Sequence, residues 1–527
     1  MTRMVGARTL KGWLSDGAEI ALLDVREHGQ FGEGHPFFAV PLPYSRLEPG
    51  LAGLVPNPRV RLVLCDGGDG VAERAAARAK AMGYGNVHVL EGGVPAWSQA
   101  GFTLYAGVNV PSKTFGELVE HERGTPRVTA QELEAMRRAG DKLVIVDGRP
   151  FAEYRRMSIP GGICCPNGEL ALRIGDIAPD PATKIVVNCA GRTRSIIGAQ
   201  TLIDLGLPNP VYALENGTQG WFLAGLELEH GADRRYRDHV RPADLERRVA
   251  RARELARSRG VAFVAAETAH AWLADPGRTT YLLDVRTAEE AAARPVPGFV
   301  HALGGQLIQA TDQWVGVRGA RLVLLDAEGA RAPVVAAWLL QLGHDACVLE
   351  GGIEAAARLD WGRPTARPAL PSLPAIAPRA LADALAARRA QALDLRPSMA
   401  YRKSHASQAR WSIRPRIAAA AAGAAGTVAL IADEAEPARL AALDLAEAGF
   451  SDVRLLEGGH EAWCAAGLPV AATPGVPADA DCIDFLFFTA ARHDGDAAAA
   501  RAYLAWEMGL VGQLDAQERA AFRIAGR

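Results

Sequence analysis

The chain has 527 residues, 49% of them hydrophobic, with 58 Lys and Arg against 60 Asp and Glu. That balance argues against nucleic acid or an anionic membrane as the main partner, and with no apolar run of ~18 residues no helical membrane span is expected. Seven cysteines at irregular positions make no disulfide framework and suit free thiols in a cytoplasmic protein.

Taken in order, the chain opens without an apolar signal core, from Met1 to Leu14. It then reaches an apolar strand that ends in an acid and, two residues on, an arginine: Leu22-Leu23-Asp24-Val25-Arg26. A second strand pattern, Leu62–Asp66, and a third with a glycine turn, Val89-Leu90-Glu91-Gly92-Gly93, follow, with Trp97 after them. The charged stretch from Asn109 to Arg127 reads as a linker. Thr129 with Glu132 then carries the signature of a capped helix start. The three markers return as Val144–Arg149, Ile185–Cys189 and Ala213–Gly217, with Trp221. His230 to Gly260, rich in Arg, Glu and Ala, predicts a solvated linker helix. The markers come a third time as Leu282–Arg286, Leu322–Asp326 and Val348–Gly352, with Ala356 in the tryptophan position. Past a proline-rich joint at Pro364–Pro378 they come a fourth time, as Leu393–Arg396, Val428–Asp433, Leu455–Gly459 and Trp463. The tail after Ala472 holds one apolar run, Phe485–Phe488, and an amphipathic helix around Ala498–Leu510. It predicts packing on a neighbouring unit or a contact between two copies in a homodimer.

Markers in a fixed order, about a hundred residues apart, mean tandem domains rather than a short-period solenoid. Apolar strands alternate with helical patterns such as Ile196, Ile197, Ala199, Leu202 and Ile203 in the second unit, or Val334, Val335, Trp338, Leu339 and Leu342 in the third. Each unit is therefore expected to be α/β, a small, mainly parallel sheet flanked by helices. The expected units are 1–108, 126–229, 260–365 and 374–472, with a C-terminal helical extension at 473–527.

One loop differs in kind. Ile-Val-Val-Asn-Cys-Ala-Gly-Arg-Thr-Arg-Ser at 185–195 places Cys189 at a strand end, facing the start of a helix. Backbone N–H groups converge there and favour the thiolate, the reactive form. A cysteine-dependent phosphatase, or an arsenate reductase of that kind, needs five residues between Cys and Arg. This chain has Ser195 in that place and Asn188 before the Cys, so the loop suits a single sulfur atom better than a phosphoryl group. At the equivalent position the other units have Asp66, Asp326 and either Ala432 or Asp433. Cys65 lies one residue earlier, on the opposite face of its strand, and reads as core.

The Asp-x-Arg strand ends, the Ile159-Pro160-Gly161-Gly162 turn, the Cys loop and the Leu-Glu-Gly-Gly-x-x-x-Trp segments together resemble the rhodanese superfamily, in a form with four tandem rhodanese-like domains. Ser158 stands where that family usually has His. The resemblance implies a sulfurtransferase in which Cys189 takes the outer sulfur of a small anionic donor such as thiosulfate. The resulting persulfide then passes to cyanide, a thiol or a protein acceptor. It implies that the N–H groups of Ala190, Gly191, Arg192, Thr193, Arg194 and Ser195 cradle the persulfide, that Arg192 and Arg194 bind the donor, and that Asp147 and Arg149 support the scaffold. No cofactor and no metal is implied. His35, His301 and His405, read as lying in corresponding turns, form no ligand cluster.

The three units without the Cys are expected to be inactive. Cys164 and Cys165 read as packing rather than relay thiols, Glu153 and Arg155 as an exposed helix, and Glu169 as a cap or a solvated group. A scaffold or persulfide sensor with an incidental thiol is the competing class. The loop Cys-Ala-Gly-Arg-Thr matches neither the mercaptopyruvate pattern nor the two-domain thiosulfate pattern, which leaves the donor open.

Overall fold

The computed structural model describes residues 3–237, 242–362 and 369–526. Four five-stranded sheets appear, and all four have one strand order. In the second unit the order runs Arg127–Val128, Val211–Leu214, Lys184–Asn188, Leu143–Asp147, Ile163–Cys164. Every pairing within these sheets is parallel, and the continuous β-branched runs are buried on both faces by helices, as parallel sheet requires. An antiparallel pair, His405–Ala406 with Val470–Ala471, adds to the fourth unit. No helix among the described residues is long and apolar enough to cross a membrane.

Register settles the open alignment. Asp147 pairs with Asn188, Asp24 with Cys65, Asp284 with Leu325 and Asp394 with Ile431. The residues after these partners are Cys189, Asp66, Asp326 and Ala432, so Ala432 rather than Asp433 holds the loop position of the fourth unit.

The Asp-x-Arg ends are one device used four times. In the second unit Arg149 Nε and Nη2 donate to Asp147 at 2.9 and 2.7 Å, and Nη2 also donates to the carbonyl of Met157. Arg26, Arg286 and Arg396 repeat this with Gly34, Arg294 and Ser404. A fork of donors bridging a strand end to the turn eight residues on is a clamp, and it persists in the units without a Cys. Trp97, Trp221 and Trp463 each donate from the indole to a carbonyl six residues later. In the third unit Trp361 fills the corresponding core and donates back to Ala356.

Three expectations are corrected. The 109–127 stretch is largely a helix, Val110–Arg123, packed against the helix Thr193–Asp204. Helix Pro242–Ser258 is solvated on one face only, because Ala252, Leu255 and Ala256 are buried. Two of its arginines form ion pairs with other elements, Arg248 with Asp176 and Arg253 with Glu350. His301 does not share a turn with His35 and His405. Paired with Asp284, it occupies the strand position that Cys164 has in the second unit. Part of the proline-rich joint lies outside the described residues.

Units two and three are closely joined. Gly168 and Gly305 approach so tightly that a methyl group on Gly168 would lie 2.7 Å from the Gly305 nitrogen. Arg331 Nη1 of the third unit donates to Glu169, fully buried in the second, at 3.0 Å. Glu169 therefore joins two units and is neither a cap nor solvated. Arg414 joins units one and four in the same manner through Glu48.

Candidate active site

Cys189 follows the strand Lys184–Asn188 and precedes the helix Thr193–Asp204. It is 2% exposed. Ser195 Oγ, one turn into the helix, donates to Cys189 Sγ at 3.2 Å. From behind, the N–H groups of Thr218 and Gln219 donate to the carbonyls of Cys189 and Ala190 at 2.8 and 3.1 Å. Gly217 must be glycine for this: its φ is +53° and a side chain would run into the Cys189 carbonyl. Asn188 Nδ2 donates to Asp147 Oδ2 at 3.2 Å, which ties the loop to the clamp.

The two loop arginines are held by carboxylates. Arg192 donates to Glu117 through Nε at 2.6 Å and to Glu120, both on the helix Val110–Arg123. Arg194 donates twice to Glu153, at 2.9 and 2.8 Å, and to Gln306 of the third unit at 3.1 Å. Burial opposes both charges, but the facing glutamates hold both guanidiniums above their usual range. Glu153 is thus a partner of the loop rather than part of an exposed helix.

Cys65, Cys164 and Cys165 lie in hydrophobic core clusters. Burial pushes Cys164 up to about 12 and Cys65 and Cys165 well above the ordinary thiol range. Cys164 donates to the carbonyl of Arg149, and Cys165 packs in the core. These are packing groups. Ser158, at the turn where His35 and His405 stack on Phe31 and Tyr401, is fully buried, with no hydrogen bond to its hydroxyl.

The C-terminal extension packs on the second unit, as its apolar run and helix led one to expect, and there it covers the loop. Helix Ala497–Gly509 lays Tyr503 and Glu507 against it. Thr193 Oγ1 donates to Glu507 Oε1 at 2.7 Å. Lys113 Nζ donates to the hydroxyl of Tyr503 and lies 4.6 Å from the centre of its ring. Burial lowers Lys113 to about 8 against the attraction of Glu507, with Arg492 and Arg194 adding repulsion. Lys113, Gly116, Glu117 and Glu120 recur at helical spacing on one face, the sequence signal that could have found them.

Units one and three show what the loop does with an anion. Asp326, in the place of Cys189, accepts from the N–H groups of Gly329, Ala330 and Arg331 at 2.9, 3.0 and 2.6 Å. Asp66 accepts from Gly68 and Ala72 at 2.8 and 2.9 Å. Such a nest of N–H groups at a helix start is an anion site.

The family described as the rhodanese-like domain matches residues 7–100, 129–224, 265–358 and 377–466. A crystal structure of a thiosulfate sulfurtransferase from Pseudomonas aeruginosa is 42% identical, with a TM-score of 0.89 over 99% of each chain. An HTH-type transcriptional regulator of Mycobacterium tuberculosis is 35% identical over 111 residues, 21% of this chain and 48% of that protein's length.

Proposed function

The chain belongs to the rhodanese-like domain family, and on that premise we propose that it is a sulfurtransferase that carries sulfur on Cys189. The Cys189 thiolate attacks the outer sulfur of thiosulfate or a related donor. The donor S–S bond breaks, sulfite leaves with the electron pair, and a persulfide remains on Cys189. An acceptor nucleophile, such as cyanide or a thiol, then attacks the outer sulfur and returns the pair to Cys189. Ser195 stabilises the thiolate through its hydrogen bond to Sγ, and the loop N–H groups from Ala190 to Ser195 receive the outer sulfur.

The observation that carries this reading is the occupancy of the equivalent loops. Where Asp66 and Asp326 stand, the N–H groups already enclose a carboxylate. Only the second unit offers a nucleophile in that place, with no acid of its own to fill the nest. Arg192 and Arg194 act by shaping the loop, since both face glutamates, and the third unit, through Gln306, and the C-terminal extension, through Glu507, act as walls. The likeness of the chain, over 99% of its length, to the Pseudomonas thiosulfate sulfurtransferase supports thiosulfate as the donor. Six of the seven free thiols are buried, which suits a reducing, cytoplasmic setting.

Intact mass after incubation with thiosulfate tests the reading. The native chain gains one sulfur atom that cyanide removes, and Cys189→Ser gains none. A gain that survives in Cys189→Ser refutes it. Hydrolysis of an aryl phosphate that depends on Cys189 would favour a phosphatase instead.

A further inference from the structure

Polar groups beside Cys189 remain unmatched once the contacts above are assigned. Glu507, 1% exposed, uses Oε1 for Thr193 and leaves Oε2 without a partner. Gln219 is buried with neither Nε2 nor Oε1 engaged. Both converge on Gly191, where a methyl group would lie 2.9 Å from Glu507 Oε2 and 3.9 Å from Gln219 Nε2. Lys113 is also buried, its ammonium against the Tyr503 hydroxyl and the rings of Tyr503 and Trp506, and among the described residues it forms no ion pair.

A buried polar atom without a partner is destabilising, so a convergent set of them marks a place that a ligand completes. The ligand must donate to Glu507 Oε2 and Gln219 Oε1, accept from Gln219 Nε2 and bring negative charge to Lys113. An α-amino acid head group does all of this, the ammonium donating and the carboxylate accepting. Of the three groups, Gln219 lines a cavity of about 630 Å³, together with Thr218, Phe222, Leu226 and Arg492. Thr218 and Gln219 are also the residues whose N–H groups support Cys189 and Ala190, so this wall of the cavity is bonded to the sulfur-bearing loop.

We propose that Glu507, Gln219 and Lys113 bind the ammonium and carboxylate of a cysteine-type thiol, which takes the outer sulfur from Cys189. The proposal rests on the sulfurtransferase reading above and names its acceptor class. The acceptor thiol gives its proton to solvent, and its thiolate attacks the outer sulfur. A new S–S bond forms as the Cys189–sulfur bond breaks. The electron pair returns to Cys189 as thiolate, the amino acid leaves as its persulfide, and no oxidant is consumed.

The test loads the full chain with thiosulfate and follows loss of the Cys189 persulfide by mass. The acceptors are L-cysteine, 3-mercaptopropionate, which lacks the ammonium, and cysteamine, which lacks the carboxylate. Rates are compared per thiolate. The native chain discharges to cysteine at least tenfold faster than to either analogue. Glu507→Gln loses the advantage over 3-mercaptopropionate and Lys113→Met the advantage over cysteamine, whereas Lys113→Arg retains it. Equal discharge to all three by the native chain overturns the proposal without any variant, as do variants that keep both preferences. Failure of Cys189 to load defeats the sulfurtransferase reading and this proposal with it, whereas loading followed by equal discharge defeats only the proposal.

Discussion

Units two and three share a strand order, an Asp-x-Arg clamp and a helix after the loop, yet one loop closes on a thiol and the other on a carboxylate. Asp326 satisfies its loop from within, through the N–H groups of residues 329–331. Cys189 receives a single side-chain donor, the hydroxyl of Ser195. A loop that binds its own acid is complete as structure. A loop that lacks one keeps its N–H groups for an anion from outside.

The comparison breaks most visibly at the clamp. Arg149→Ala and Arg286→Ala each strand a buried aspartate and should cost about 3–5 kcal/mol. The costs should match in urea unfolding of the full chain, because the pair is scaffold in both units. A cost confined to one unit would mean that its clamp has a different task. Next comes the loop acid. Asp326→Ala should cost about 2–3 kcal/mol by leaving several N–H groups unpaired, whereas Cys189→Ala should cost about 1 kcal/mol. Equal values would show that the third loop is not held by its carboxylate.

A smaller effect separates the cover from the loop. Thr193→Val removes the bond to Glu507 and should cost about 1 kcal/mol. It should also speed alkylation of Cys189 by iodoacetamide while Cys65 and Cys165 stay protected. The smallest effect is one of pH. Lys113 is lowered to about 8 from an ordinary value of 10.5. Between these values the unfolded chain holds a proton that the folded chain has released, so this group's contribution to stability rises with pH across that window. Over the same rise the ammonium charge is lost. The preference for cysteine over cysteamine should therefore decline above about pH 8, and it should hold level in Lys113→Arg.

The strands and the fold class were legible because parallel sheet leaves uninterrupted apolar runs, and because the clamp, the glycine turn and the tryptophan repeat in order. Cys189 was legible for the same reason, as the departure from a repeated pattern. The environment of Cys189 was not. Glu507 reaches Thr193 across 314 residues, and no local periodicity encodes a contact of that separation. The charges of Arg192 and Arg194 pointed to a donor, yet Glu117, Glu120 and Glu153 face them in the fold. The stretch with Glu117 and Glu120 read as linker because its charge concealed a helical face. Ser158 departs from the family pattern in the sequence, but only the packing shows a buried hydroxyl there where units one and four stack an imidazole.

The cover of the loop also has a history within each molecule. A ribosome adding ~5–20 residues per second needs roughly 15–60 s to cross the 314 residues from Thr193 to Glu507. Through that interval the strand and helix that present Cys189 have emerged, and the chain that seals them has not. Every nascent copy thus passes through a period in which Cys189 is unguarded. An oxidant or alkylating agent present during synthesis should mark Cys189 in growing chains and spare it in finished ones.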